Sequence, residues 1–221
     1  MLKGLALKLR GLEVERVPFD PSGLGDAVAA RTEWGPATGG GVSFRTHRLA
    51  EVEASRVEFR ATGRAVLFSG VWIAIGLTSA VGPVVVAAVF QAGGQALPVI
   101  VSILLGSLFM FGGGSMLYHG TAPIVFDKRQ GDYWKGRVAP YETGGRLELK
   151  DHAKLDRIYA LQLISERCRS KNSSYHSYEL NLVLDDGTRM NVIDHGDRDG
   201  MRRDAEALAA FLGTPLWDAT G

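Results

Sequence analysis

Cysteine is almost absent from this 221-residue chain, which carries a single one, Cys168. One thiol excludes an internal disulfide and a zinc site built from several thiolates. Basic neighbours such as Arg167 and Arg169 can lower the pKa of a thiol, but no histidine motif of a cysteine enzyme accompanies them. We therefore expect Cys168 to be a passive residue.

Charge is missing from the middle of the chain, because residues 65–126 contain no Lys, Arg, Asp or Glu. Two apolar runs, "AVLFSGVWIAIGLTSAVGPVVVAAVF" and "LPVIVSILLGSLFMFGGGSMLY", flank the short linker "QAGGQA". Each run reaches the roughly twenty residues that a helix needs to cross a bilayer. The pattern predicts a transmembrane hairpin over 65–118, with helices at about 65–90 and 97–118. A buried hairpin of a soluble protein is the alternative.

Catalytic motifs are also missing. The chain has no Gly-x-Ser-x-Gly elbow, no phosphate-binding loop, no Gly-x-Gly-x-x-Gly after a strand and no His-Glu-x-x-His. Neither charged end has the basic excess that nucleic-acid binding needs. These absences favour a non-enzymatic protein without a nucleic-acid partner, and no cofactor is expected.

Positive charges surround the predicted hairpin. Arginines precede the first span, namely Arg56, Arg60 and Arg64, and basic residues follow the second, namely Lys128, Arg129, Lys135 and Arg137. The linker between the spans has no charge. Because Lys and Arg are enriched in cytoplasmic loops, we expect both termini to be cytoplasmic.

The charged ends divide into an N-terminal segment, residues 1–64, and a C-terminal domain, residues 119–221. Leucines from Leu2 to Leu12 at helical spacing predict an amphipathic helix at the start. A loop rich in Pro and Gly follows, and then two short strands in "GVSFRTHRLAEV" and "SRVEFRA". The sequence leaves open whether these strands join the C-terminal sheet.

The C-terminal domain is predicted to be an antiparallel sheet. Strands are expected in "PIVFDKRQGDYWKG", "RLELK" and "LDRIYALQLIS". In "SYELNLVLDDGTRMNVI", leucines alternate with Glu179 and Asn181, which is typical of a half-buried strand. A three-residue turn over residues 185–187 would place Leu182 opposite Met190, and Leu180 opposite Val192.

The acidic stretch "NVIDHGDRDGM" precedes a helix whose apolar stripe comprises Met201, Ala205, Leu208 and Leu212. Asp197 or Asp199 is suited to cap this helix, and Gly213 to end it. The alternative is a metal-dependent enzyme. In that hypothesis His176 and His195 bind a divalent ion together with the nearby carboxylates Asp194 and Asp197.

The order of a helical hairpin, "FDKRQG", "LDRIYALQL" and "AEALAAFLGTPLWD" resembles membrane-anchored bacterial pleckstrin-homology-like proteins, in particular the photosystem I assembly family of cyanobacteria and chloroplasts. The likeness covers roughly residues 65–218. It implies an α+β membrane protein: a two-helix transmembrane hairpin with a cytoplasmic, antiparallel pleckstrin-homology-like β domain closed by a C-terminal helix. It also implies a scaffold, assembly factor or accessory subunit of a membrane complex in the bacterial inner (cytoplasmic) membrane.

Two surfaces are candidates for binding. Lys128, Arg129, Lys135 and Arg137 could contact anionic lipid, which would make the chain a lipid-binding module, or they could be ordinary membrane-flanking charges. Small residues line both predicted helices, namely Ser69, Gly76 and Ala80 in the first and Ser102, Gly106 and Gly113 in the second. They let helices approach closely, either within the hairpin or against partner helices. The expected partners are membrane lipid, subunits of a membrane protein complex or a second copy of the chain.

The topology is testable with a reporter fused at Gly94, in the linker between the two spans. We expect the reporter to signal from outside the cytoplasm, because the charge bias places only this linker there. Fusions at both termini serve as controls and should signal from the cytoplasm. A cytoplasmic signal at Gly94 would contradict the topology.

Overall fold

The computed structural model describes residues 13–89, 96–143, 151–169 and 173–221. Its chain divides into two compact units. One, the β unit, comprises Met1–Arg60 and Pro123–Gly221, and the other, the helical unit, comprises Ala61–Ala122. The stretches before and after the charge-free region therefore belong to the same unit.

The helical unit consists of α2 (Gly63–Val89) and α3 (Ala96–Gly120). Both helices are long and apolar enough to cross a membrane, and Pro83 lies inside α2. Most of their large side chains are not covered by other parts of the chain. The exposed fraction is 77% for Phe111 and 66% for Leu104. A helix from a soluble core would bury such side chains, so the hairpin does not resemble one.

The first sheet of the β unit joins strands from both sides of the hairpin. Its order is β2–β3–β4–β5–β6. The strands are β2 (His47–Glu53), β3 (Arg56–Ala61), β4 (Ile124–Asp127), β5 (Asp132–Lys135) and β6 (His152–Lys154). Strands β3 and β4 are antiparallel neighbours, with Arg56 opposite Asp127 and Phe59 opposite Ile124. The question that the sequence left open is thereby answered, since β2 and β3 share a sheet with the strands after the hairpin.

The second sheet has the order β1–β7–β8–β9, and β10 also pairs with β7. These strands are β1 (Glu13–Arg16), β7 (Ile158–Arg169), β8 (Ser174–Leu184), β9 (Arg189–His195) and β10 (Leu216–Ala219). All pairs are antiparallel except β7 with β10, which is parallel. The expected C-terminal helix is α4 (Arg198–Leu212), but it is not the last element, because β10 follows it.

One hydrophobic core takes side chains from both sheets and from α4. It contains Phe59, Phe126, Leu163, Leu182 and Leu208, among others. The predicted stripe of α4 is confirmed for Met201, Ala205 and Leu208, which are fully buried, and Leu212 packs against them. The cap is Asp197, whose side chain accepts the backbone N–H of Gly200 at 3.1 Å. Asp199 lies in the first turn of the helix.

The turn between β8 and β9 has the predicted three residues, and Gly187 has a φ of 85°. Leu182 lies opposite Met190 as expected. The partner predicted for Leu180 is wrong by one position, because a β-bulge shifts the register between Leu180 and Asn181. Leu180 therefore pairs with Ile193.

The remaining predictions concern the N-terminal segment and one strand of the C-terminal domain. The amphipathic helix at Leu2–Leu12 and the strand "RLELK" lie outside the described residues. The Pro- and Gly-rich segment is mostly irregular, as expected, but contains a 3-10 turn at Pro21–Leu24 and the short helix α1 (Ala27–Arg31). This segment contacts the second sheet.

Candidate functional site

The candidate site lies on the face of the second sheet that points away from the main core. Glu179 and Asn181 lie on this face and are fully buried, so the prediction that β8 is half-buried is wrong. The cause is an N-terminal segment, Glu33–Val42, which we call the strap. The Gln162 side chain donates to the carbonyl of Glu33 at 3.0 Å, and Tyr175 Oη donates to that of Gly41 at 2.7 Å.

Two glutamates of the sheet bind the backbone of the strap. Glu179 accepts the N–H groups of Ala37 at 2.8 Å and Thr38 at 3.2 Å. Glu166 accepts the N–H group of Gly40 at 2.7 Å and that of Gly41, more distantly, at 3.3 Å. Carboxylates buried in this way are costly unless donors reach them, and the strap supplies those donors.

Glycine is required where the strap passes over the sheet. Gly40 has a φ of 81°, a conformation that other residues rarely adopt. A Cβ on Gly41 would collide with Ser177 Oγ and would lie 3.0 Å from Asp194 Cβ. The motif "ATGGGV" is therefore a close-approach segment rather than a plain linker.

Burial dominates the electrostatics around Glu166. It raises the pKa of this carboxyl, and the charges of Glu179 and Asp194 raise it further, against the lowering effect of the strap N–H groups. Cys168 on the same strand is also fully buried, and its pKa is raised to about 11, mainly by burial. Its basic neighbours do not activate this thiol, in keeping with the passive role expected for it.

An aromatic cluster fixes the chain that leads into the strap. The rings of Phe19 and Trp34 lie 4.4 Å apart, and that of Trp34 lies 5.9 Å from Trp217 of β10. Tyr159 Oη donates to Asp26 at 3.0 Å. The N-terminal segment is thus part of the β unit through apolar as well as polar contacts.

The residues predicted as metal ligands have separate surroundings. His195 is fully buried opposite Tyr178, whereas His176 is exposed opposite Arg167. Across residues 13–89, 96–143, 151–169 and 173–221, no group of three or more His, Cys, Asp or Glu side chains is arranged to hold a metal ion. The predicted ligand set is therefore not assembled in the described part of the chain.

The contacts of three of these residues are structural. Nδ1 of His195 accepts the backbone N–H of Asp197 at 3.2 Å. Burial, followed by the charge of Arg45, lowers the pKa of His195 to about 4, so its ring is neutral at pH 7. Asp197 caps α4, and Asp194 accepts a hydrogen bond from Thr38 Oγ1 at 3.4 Å.

The basic residues around the β4–β5 turn contact different parts of the β unit. Lys128 Nζ lies 4.5 Å from the centre of the Phe211 ring, and Arg129 pairs with Glu53 at 2.8 Å. Lys135 Nζ donates to Asn191 Oδ1 at 3.3 Å, and Arg137 is exposed. Contacts within the protein thus engage Lys128, Arg129 and Lys135, which limits their use as a shared headgroup site.

Four of the small residues predicted for helix packing lie where α2 and α3 approach each other, namely Gly76, Ala80, Gly106 and Gly113. A Cβ on Gly106 would lie 2.5 Å from the carbonyl oxygen of Gly76 and 2.6 Å from the nitrogen of Ala80. A Cβ on Gly113 would lie 2.9 Å from Ile73. Ser69 is buried and donates to the carbonyl of Ala65, whereas Ser102 donates to that of Pro98. Gly76, Ala80, Gly106 and Gly113 thus serve packing within the hairpin, whereas the recorded contacts of Ser69 and Ser102 are hydrogen bonds within their own helices.

Sequence reasoning missed Glu166 and Glu179 as a pair. The available signal was a carboxylate inside the apolar strand "LQLISERC", together with three consecutive glycines, two of which, Gly40 and Gly41, contact it. Comparison with known proteins adds no candidate residues, since no protein family, curated protein or solved structure matches this chain.

Helix packing is testable by adding a methyl group at two positions of α3. Gly106→Ala should destabilise the hairpin by about 1–3 kcal/mol, because the new Cβ overlaps the backbone of α2. Gly112→Ala is the matched control, since no atom lies within 4 Å of its Cβ position. The midpoint of unfolding in a dodecyl sulfate titration measures the difference. Equal midpoints for the two variants would contradict the packing.

Proposed function

We propose that this chain is a non-enzymatic scaffold, assembly factor or accessory subunit of a membrane protein complex, anchored in the bacterial inner membrane by α2 and α3. The observation that carries the proposal is the apolar surface of the hairpin. Side chains such as Leu67, Leu104 and Phe111 are more than 60% exposed in a stretch without charge. Lipid or partner helices would cover such a surface.

The chain connectivity supports a cytoplasmic β unit. β3 ends at Ala61 just before α2, and β4 begins at Ile124 shortly after α3. Because β3 and β4 are paired neighbours, the chain enters and leaves the hairpin from one sheet. A hairpin with both ends on one side of the membrane satisfies that pairing, and the flanking basic residues favour the cytoplasmic side.

The polar groups of the β unit support a structural rather than a catalytic role. Glu166 and Glu179 hold the strap, and His195 and Asp197 organise the start of α4. Groups with the clearest capacity for acid–base chemistry are thus engaged in holding the chain together. This favours a protein whose surface, rather than a reactive centre, performs its task.

The pleckstrin-homology-like fold remains part of the proposal. Two sheets that share a core with α4 support it, whereas the parallel strand β10 is a departure from the antiparallel domain expected. The resemblance to photosystem I assembly proteins suggests the kind of partner, namely the subunits of a membrane complex during assembly.

The proposal is tested by recovering the tagged full-length protein from its own membranes in mild detergent and identifying co-purifying proteins by mass spectrometry. We expect membrane-complex subunits in stoichiometric amounts. The control is a variant carrying Lys128→Glu and Arg129→Glu, which should retain those subunits if protein contacts rather than lipid contacts dominate. Recovery of the protein alone with anionic lipid, and loss of that lipid from the variant, would favour the lipid-binding module instead.

A further inference from the structure

Glu166 is buried between the strap and the second sheet, near other acidic side chains. Its side chain is fully buried. The titratable groups around it are Cys168 on β7, Tyr175 and Glu179 on β8 and Asp194 on β9. From β1, Arg16 is its partner in backbone register, and from the strap the N–H groups of Gly40 and Gly41 reach it.

The two oxygens of the Glu166 carboxyl have different surroundings. Oε1 accepts the hydrogen bonds from the strap, whereas Oε2 is buried and has no hydrogen-bond partner in the described part of the chain. A buried carboxylate oxygen without a donor is costly when the group is charged. The geometry therefore favours the neutral, protonated carboxyl.

A second buried group supports the same assignment. Ser177 is the register partner of Glu166, is fully buried, and its Oγ also has no partner among the described residues. Paired residues of neighbouring strands present their side chains on the same face. The Cβ position of Gly41 touches both Ser177 Oγ and the side chain of Asp194, so this hydroxyl faces the strap. The two atoms do not hydrogen-bond to each other, so Ser177 does not stabilise a charge on Oε2 of Glu166.

Glu179 differs from Glu166 in a way that separates their roles. Both of its oxygens receive donors from the strap, Oε1 from Ala37 and Oε2 from Thr38. The charged form of Glu179 is therefore satisfied, and its charge opposes a second charge on Glu166.

We propose that Glu166 is a proton-dependent latch, which holds the strap on the sheet while it is protonated and releases it when the proton is lost. Release would uncover the polar face of the sheet around Gln162, Ser177 and Asn181, which is buried in the latched state. The proposal does not depend on the scaffold role, because it concerns contacts within the β unit.

The direction of the pH effect follows from burial. The folded state raises the pKa of Glu166 above its value in an open chain, so the folded state binds the proton more tightly. The stabilisation is therefore complete below the open-chain pKa and is lost as the pH rises through the raised value.

The test is hydrogen–deuterium exchange of the strap in the full-length protein in detergent micelles, measured from about pH 5 to about pH 9 and corrected for intrinsic exchange rates. Protection of the Gly40 and Gly41 amides should fall about tenfold per pH unit above the midpoint, since one proton is lost. A peptide from the core of β8 should keep its protection throughout and so reports that the β unit remains folded.

Two variants give opposite expectations. Glu166→Gln resembles the protonated carboxyl, so strap protection should persist to high pH. Glu179→Gln would place an amide NH₂ against a strap N–H, so protection should fall at every pH while its pH dependence remains. The latch is overturned if the wild-type protection is independent of pH, or if Glu166→Gln retains the wild-type dependence.

Ser177→Ala provides an independent test should Glu166→Gln fail to fold. Removal of the hydroxyl makes the surroundings of Glu166 less polar, which disfavours the charged carboxyl further, so the midpoint of strap release should move to higher pH. An unchanged or lower midpoint would contradict the proposed environment of the proton.

Discussion

The antiparallel pairing of β3 with β4 is the interaction on which the rest of the structure depends. These strands are separated in sequence by the whole helical unit, yet Phe59 lies opposite Ile124 in register. The side chain of Arg56 reinforces the pairing, because it contacts Asp127 of β4 at 3.7 Å and lies 5.5 Å from the centre of the Trp134 ring of β5, while it also pairs with Glu58 of its own strand at 2.7 Å. The chain therefore builds one β unit from its two ends, with the apolar hairpin as an insertion between adjacent strands.

The second constraint is that both faces of the second sheet are covered. One face packs against α4 and the first sheet, and the strap covers the other. Because the covered polar face carries Glu166 and Glu179, its stability depends on backbone donors that the strap supplies. The same contacts that complete the fold thus create a buried acid whose charge state influences whether the cover stays in place.

Features encoded by neighbouring residues were predictable, whereas features created by distant contacts were not. The charge-free stretch located both long helices, and local spacing limited the cap to Asp197 or Asp199, of which Asp197 is the cap, and indicated Gly187 as the turn residue. The alternation around Glu179 suggested a solvent-facing side because the covering segment lies 142 residues away. The bulge next to Leu180 and the parallel strand β10 likewise depend on tertiary packing, which no local pattern records.

The central claim is that the residues before and after the hairpin fold as one unit. It is tested most directly by replacing residues 62–122 with a Gly/Ser linker of about five residues, a length that suits a loop between antiparallel strands. The account predicts a folded protein in water that unfolds in a single cooperative transition and keeps the strap amides protected from exchange. A chain that stays unfolded or aggregates, or one in which the strap amides exchange freely under acidic conditions, would contradict it.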